Sequence, residues 1–314
     1  MIKIQNEHLE KHAQEHYEAI KNYFENTRTR YSIENIDAWI KNCFGHKWDF
    51  KRIILAKPND LELLSKIFKF KCCNDFKSFH GYYKNLNKYS EVTYFHIIDN
   101  KKKPYNAYQL LENLKVFVCP YCNRNTIYNV QSTQKRTSEL DHYYPQSKYP
   151  FLALSCYNLV PSCKVCNKIK LDNDDKEYIN PYDNRFDMNK NMKFSLEIED
   201  STFYHSINGF SIQYKYDEKI SDDERNRIKN NLDDFELKDL YQNHKDIVLE
   251  LIQKQAIYNE SYMDELLTQY EGTLFKNRED LQRLVSGGYI SDEEIGKRPL
   301  SKLIKDISIE LGLV

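Results

Sequence analysis

Glycine and proline are scarce in this chain, eight of each in 314 residues. Few tight turns can be built from so small a stock, which favours a mostly helical chain. Long apolar runs are missing too. None approaches the ~18–20 residues that a membrane-spanning helix needs. A mean hydropathy of −0.76 and 30% charged residues exclude a membrane protein. An excess of either charge is also absent: 46 Lys+Arg stand against 47 Asp+Glu, so global charge announces no nucleic-acid partner. The N-terminal run MIKIQNEHLEKHAQEHYEAI is polar and charged, so no secretory signal is expected. Internal repeats and low-complexity segments are lacking as well. The 25 tyrosines are spread evenly and fit a composition bias as well as a binding surface.

What is present is cysteine, eight residues in a chain where no leader is expected. That combination points to a reducing, cytoplasmic setting, where paired cysteines serve as metal ligands more often than as disulfides. Four of the eight form two pairs, CPYC at 119–122 and CKVC at 163–166. Two such knuckles supply four thiolates for a closed, tetrahedral structural Zn²⁺ site. The spacing between them is longer than in a simple zinc ribbon, so a folded insert is expected there. Cys43, Cys72, Cys73 and Cys156 show no comparable pattern and read as core or incidental residues.

The length allows two or three domains, or one core with attached lobes. Residues 1–110 read as helices: NEHLEKHAQEHYEAIKNYFEN, IENIDAWIKNCF and DLELLSKIFKFKCC carry apolar residues three and four apart. Asp60 is a candidate cap for LELL, and the charged, proline-containing run DNKKKPYN (99–106) reads as a linker. Residues 111–185 change character, with concentrated cysteines and short β-type runs (KVFVC, NTIYNV, SELDHYY). From 186 to 314 an alternating stretch over 193–216 predicts two or three antiparallel strands, followed by helices from Ser221 onward. The expected class is α+β.

Between the knuckles stands SELDHYYPQSKYP, with Asp141 beside His142. Asn158 follows in CYNLVPS, and Asn167 comes directly after the second pair. These residue types suit metal-assisted phosphodiester hydrolysis. A histidine near its ordinary pKa of about 6.5 can take a proton from water at neutral pH. A carboxylate and an amide oxygen are hard ligands for Mg²⁺ or Mn²⁺, and such an ion stabilises charge on the phosphate and the departing oxygen. A middle asparagine can fix the histidine's loop and so the direction of its ring.

The run VCPYC…ELDHYYPQSKYP…CYNLVPSCKVCNKIK resembles an HNH endonuclease of the zinc-knuckle type, with its ββα-metal core. That resemblance implies His142 as general base, Asp141 and Asn167 as ligands of a catalytic Mg²⁺ or Mn²⁺, and Asn158 as the orienting residue. Cys119, Cys122, Cys163 and Cys166 would hold the structural zinc. The third position is Asn where the family has either His or Asn, which bears on metal preference more than on activity. The helix DLYQNHKDIVLELIQKQ and the run INPYDN are similar to HNH proteins of anti-phage modules, including the nuclease subunit of Septu systems and retron-associated nucleases. The resemblance then implies a partner ATPase, with the flanking helical lobes as docking surfaces.

Local charge supports a phosphate partner. From Lys115 to Lys170 there are eight basic residues against Glu139 and Asp141. Phosphate backbone should dock there, with Lys164, Lys168, Lys170 and Lys148 as the expected contacts. The acidic run DNDDKE (172–177) is expected to end that zone and face away from nucleic acid. His8, His12 and His16 share one helix stripe and read as solvated rather than metal-binding. DNA is the expected substrate. RNA cleavage by the same chemistry, and a non-catalytic zinc module that binds nucleic acid or protein, are the alternatives.

Overall fold

In the computed structural model, residues 2–26, 32–71, 94–98, 101–174 and 176–314 are described. Cys72 and Cys73 lie outside them. The N-terminal periodicity yields α1 (Leu9–Asn26), which buries Ala13, Tyr17, Ile20 and Phe24, and α2 (Ile33–Phe44), which buries Ile36, Ile40, Cys43 and Phe44. Ser32 caps α2 by accepting from the Asn35 N–H at 3.3 Å, and Gly45 ends it at φ 94°, a conformation that favours glycine. Asp49 caps α3 (Phe50–Ile54) through the Arg52 N–H at 2.7 Å. The next helix, α4 (Pro58–Lys71), begins earlier than expected. Pro58 opens it with a fixed φ and no N–H to satisfy, so Asp60 sits in its first turn rather than capping it.

The expected linker is a strand over part of its length. Here β1 (Tyr94–Ile98) pairs antiparallel with β2 (Lys101–Tyr105). A two-stranded ribbon has only edges, and an edge tolerates both lysines and Pro104. Helix α5 (Ala107–Leu114) follows, opened by a capping box of Asn106 and Gln109.

In the cysteine-rich region, β3 (Glu139–His142) pairs antiparallel with β4 (Leu159–Ser162), with His142 opposite Leu159. Helix α6 (Lys164–Lys170) comes next, giving the order strand, strand, helix. The runs KVFVC and NTIYNV, read as β-type, make only isolated bridges, Val118 with Thr126 and Val130 with Lys135. The alternating stretch resolves into two strands, β5 (Met192–Ile198) and β6 (Phe210–Tyr216), with 3₁₀ turns between them.

Six helices complete the chain: α7 (Asp222–Asp234), α8 (Leu237–Gln242), α9 (Lys245–Ile257), α10 (Glu260–Tyr270), α11 (Arg278–Ser286) and α12 (Ser301–Glu310). Helix α12 is embedded from Ser301 to Ser308. Its Lys302 donates to the Met192 carbonyl at 2.7 Å, and its Asp306 accepts from the Phe194 N–H at 3.0 Å, pinning it to β5. The fold is therefore α+β, with three two-stranded antiparallel sheets set among helices in the described residues. One apolar core runs from Ile4 to Leu313. Within it Phe151 packs against Phe44 (4.9 Å between ring centroids) and Phe68 (4.8 Å), which seats the segment before Asn158 on the N-terminal helices. Among the described residues, no helix is long and apolar enough to cross a membrane.

Candidate metal centre and catalytic site

The knuckles meet. The sulfurs of Cys119, Cys122, Cys163 and Cys166 all lie within 4.8 Å of one another, and all four residues are buried. A tetrahedral zinc with Zn–S bonds near 2.3 Å sets sulfurs roughly 3.8 Å apart, so the cluster has the size of a Zn(Cys)₄ site. Its surroundings suit thiolates. The Arg124 N–H donates to Cys122 Sγ at 3.3 Å, the Asn125 amide to Cys163 Sγ at 3.3 Å, and the Cys166 N–H to Cys163 Sγ at 3.4 Å. Hydrogen bonds from Cys119 and its neighbours hold the Cys163 thiol far below its ordinary range. By contrast, burial pushes Cys156 up to about 12, which keeps it a thiol outside the cluster.

Local geometry shapes the first knuckle. The Asn123 N–H closes the turn onto the Cys119 carbonyl at 2.8 Å, and Asn123 adopts φ 52°. Asparagine tolerates that left-handed conformation better than most residues. Its side chain reaches away from the knuckle, accepting from the Lys302 N–H at 3.0 Å and donating to the Ile295 carbonyl at 3.0 Å. Tyr241 hydroxyl donates to the Cys122 carbonyl. The C-terminal helices thus brace the knuckle from outside.

Asp141 and His142 are consecutive on β3, so their side chains leave opposite faces of the strand. Asp141 turns toward the first knuckle and α6. It is buried and accepts from the Tyr121 hydroxyl at 2.6 Å. Burial, then the neighbouring Asp141 charge, pushes the Tyr121 phenol well above its ordinary value, so it remains a donor. Lys170 Nζ reaches both Asp141 oxygens, at 3.2 and 3.0 Å, and also donates to the His142 carbonyl at 2.7 Å.

His142 turns toward the connecting segment. Its Nε2 lies 3.0 Å from the Ala153 carbonyl, an acceptor only, so Nε2 carries the proton and Nδ1 keeps its lone pair. Burial, the largest influence, holds its pKa below the ordinary value and favours the neutral ring. Nδ1 has no hydrogen-bond partner among the described residues.

The segment carrying Ala153 is itself held. Asn158, fully buried, accepts from the Tyr144 N–H at 2.7 Å and donates to the carbonyls of Tyr144 (3.2 Å) and Leu152 (3.0 Å). Leu154 carbonyl meets His16 Nε2 at 2.9 Å, and Ser155 donates to the Ile53 carbonyl at 2.7 Å. His16 is therefore buried between α1 and this segment, within hydrogen-bond distance of the Tyr105 hydroxyl, and not part of a solvated stripe. It falls on the same helix face as Ala13, Tyr17 and Ile20, and that face is the one α1 buries.

Asn167 lies on α6 one turn before Lys170 and one turn after Cys163, on the face that α6 turns inward. Its amide has no partner among the described residues. Asp141 has carboxylate oxygens and Asn167 an amide oxygen, the donor types that Mg²⁺ or Mn²⁺ takes, and Lys170 is seated on the carboxylate.

The four lysines expected on phosphate divide. Lys164 and Lys168 are exposed and carry no ion pair among the described residues. Lys148 is exposed but paired with Asp174. Lys170 is buried, drawn inward by Asp141. The acidic run has protein partners of its own. It folds back over the loop after His142, where Asp172 accepts from Ser147 at 2.7 Å, and Asp174 meets Lys69 at 3.1 Å and Tyr149 hydroxyl at 2.8 Å. Opposite charges on that loop and on α4 attract it there. Tyr121 and Ala153 were not singled out from the sequence, while Lys170 was read as a phosphate contact and His16 as solvated. Lys170 had a usable signal in its i+7 spacing from Cys163, and His16 in the apolar residues of its helix face.

No protein-family model matches the chain, and no solved structure matches it. Over 81 residues it is 36% identical to a protein of Bacillus thuringiensis described as Septu protein PtuB. The match takes in 25% of this chain and 29% of the Septu protein's length.

Proposed function

We propose that this chain is a metal-dependent HNH endonuclease that hydrolyses nucleic-acid phosphodiester bonds, DNA first, as an effector in a Septu-type anti-phage defence complex. The observation that carries the reading is the hold on His142. A neutral imidazole fixed through Nε2, with Nδ1 unengaged, is what a general base for water requires. Asn158 fixes the segment that fixes the ring, a role that touches no substrate. The strand–strand–helix order, with a four-cysteine cluster joining its ends, supports a ββα-metal core. Such a unit is too small to hold that geometry by its own apolar core.

In this reading Asp141 and Asn167 hold the catalytic Mg²⁺ or Mn²⁺. When bound, the ion would stabilise charge on the phosphate and the leaving 3′ oxygen. In this reading the scissile phosphate would reach across the end of β3, because His142 and Asp141 leave opposite faces of that strand. Lys164 and Lys168 on α6 offer exposed charge for the flanking backbone. The likeness to a Septu protein supports the defence setting, and a partner ATPase would dock on the helical lobes at either end.

One observation favours a second reading, a non-catalytic zinc module. Asp141 already has its charge compensated internally by Lys170. A digestion panel of supercoiled DNA, linear DNA and structured RNA, with Mn²⁺ and with EDTA, separates the two. Ion-dependent cutting of DNA is expected. Ion-dependent cutting of RNA alone would move the substrate to RNA, and an intact panel would leave the zinc module.

A further inference from the structure

Lys170 is the one residue of the expected phosphate contacts that turns away from solvent. Its side chain is 2% exposed, and that of Asp141 is 5% exposed. The ammonium lies 3.0 and 3.2 Å from the two carboxylate oxygens and 2.7 Å from the His142 carbonyl. It touches the acid through its side chain and the histidine through its backbone. The Tyr121 hydroxyl fills a third place on the carboxylate. A divalent cation bound by Asp141 needs those same oxygens, and a unit positive charge near 3 Å opposes it strongly at low dielectric.

We propose that Lys170 is a built-in counter-ion that competes with the divalent cation for Asp141, so that metal loading requires the ammonium to withdraw from the carboxylate. This rests on the reading of Asp141 as a ligand. Lys170 thereby sets how tightly the site binds metal and holds it in a metal-poor, charge-neutral state. The His142 carbonyl gives the ammonium a place to remain bound once it leaves Asp141.

The test is titration with Mn²⁺ alone, followed by the paramagnetic signal of the free ion, on zinc-loaded wild type, Lys170→Gln and Lys170→Met. Gln keeps a neutral donor toward Asp141, whereas Met leaves the carboxylate with the Tyr121 hydroxyl. Matched zinc content and circular dichroism identify folded protein. Both variants are expected to bind Mn²⁺ at least about tenfold tighter than wild type, since a repelling charge is removed. Adding Asp141→Asn to Lys170→Gln should abolish the gain. Equal or weaker binding by Lys170→Gln, with wild-type binding lost in Asp141→Asn, would overturn the competition and leave Asp141 a ligand. A gain that survives Asp141→Asn would instead remove Asp141 from the metal site. No binding by any of these proteins would overturn both.

Discussion

Asn158 holds Tyr144 by both backbone groups, accepting from its N–H at 2.7 Å and donating to its carbonyl at 3.2 Å. A third bond, to the Leu152 carbonyl at 3.0 Å, joins the two ends of the segment that presents Ala153 to His142. A residue that makes no hydrogen bond to His142 thereby helps set the direction of its ring.

Asn158→Ala should therefore act twice. It leaves the Tyr144 N–H and carbonyl without partners, while the Leu152 carbonyl keeps its bond from the Ser155 N–H, a loss of about 2–4 kcal/mol. Urea unfolding at matched zinc content measures it. Asn158→Asp keeps the acceptor and loses the donor, so it should be destabilising as well, with the Tyr144 carbonyl stranded and a carboxylate set against the Leu152 carbonyl.

A pH dependence follows from His16. Burial lowers its pKa from 6.5 to about 4 in the folded chain. Its depressed folded value means that the unfolded chain takes up the proton first as pH falls. Stability is full above pH 6.5 and declines toward pH 4, by about 3 kcal/mol in total. His16→Gln should flatten that decline. Chemical-denaturation midpoints at pH 7 and pH 5 make the comparison, and an equal slope in both proteins would remove His16 as its source.

Zinc removal has a mapped outcome. Cys163 also caps α6, and Ser is a good helix cap, so Cys163→Ser separates the metal role from the capping role. Hydrogen exchange should rise at 117–126 and 159–170. Through Asn123, which bonds to Lys302 and Ile295, it should rise at 295–302 as well. Helices α1, α2 and α3 should keep their protection. Uniform loss across the chain would show that the metal holds the whole fold.

Much of this architecture was legible because local rules governed it. Apolar residues three and four apart gave α1, α2 and α4, and alternation gave β5 and β6. The spacing of four cysteines gave a cluster that the fold closes to within 4.8 Å. What escaped depends on which face tertiary packing chooses. Lys168 and Lys170 look alike in CNKIK, yet the helix turn puts one outside and one on Asp141. His16 shares a stripe with His8 and His12, but the apolar residues beside it were the better guide to its burial. Charge misled at 101–105, since a lone ribbon accepts lysines that a central strand would refuse. Tyr121 left no signal, because its meeting with Asp141 spans 20 residues of chain.

The central claim is that His142 activates water for phosphodiester hydrolysis. Its most direct test is cleavage of supercoiled plasmid with Mn²⁺ by wild type and His142→Ala at equal zinc content. Nicking or linearisation by wild type, reduced at least about a hundredfold in the variant, is the predicted result. Equal cleavage by both proteins would contradict it and remove His142 from the chemistry.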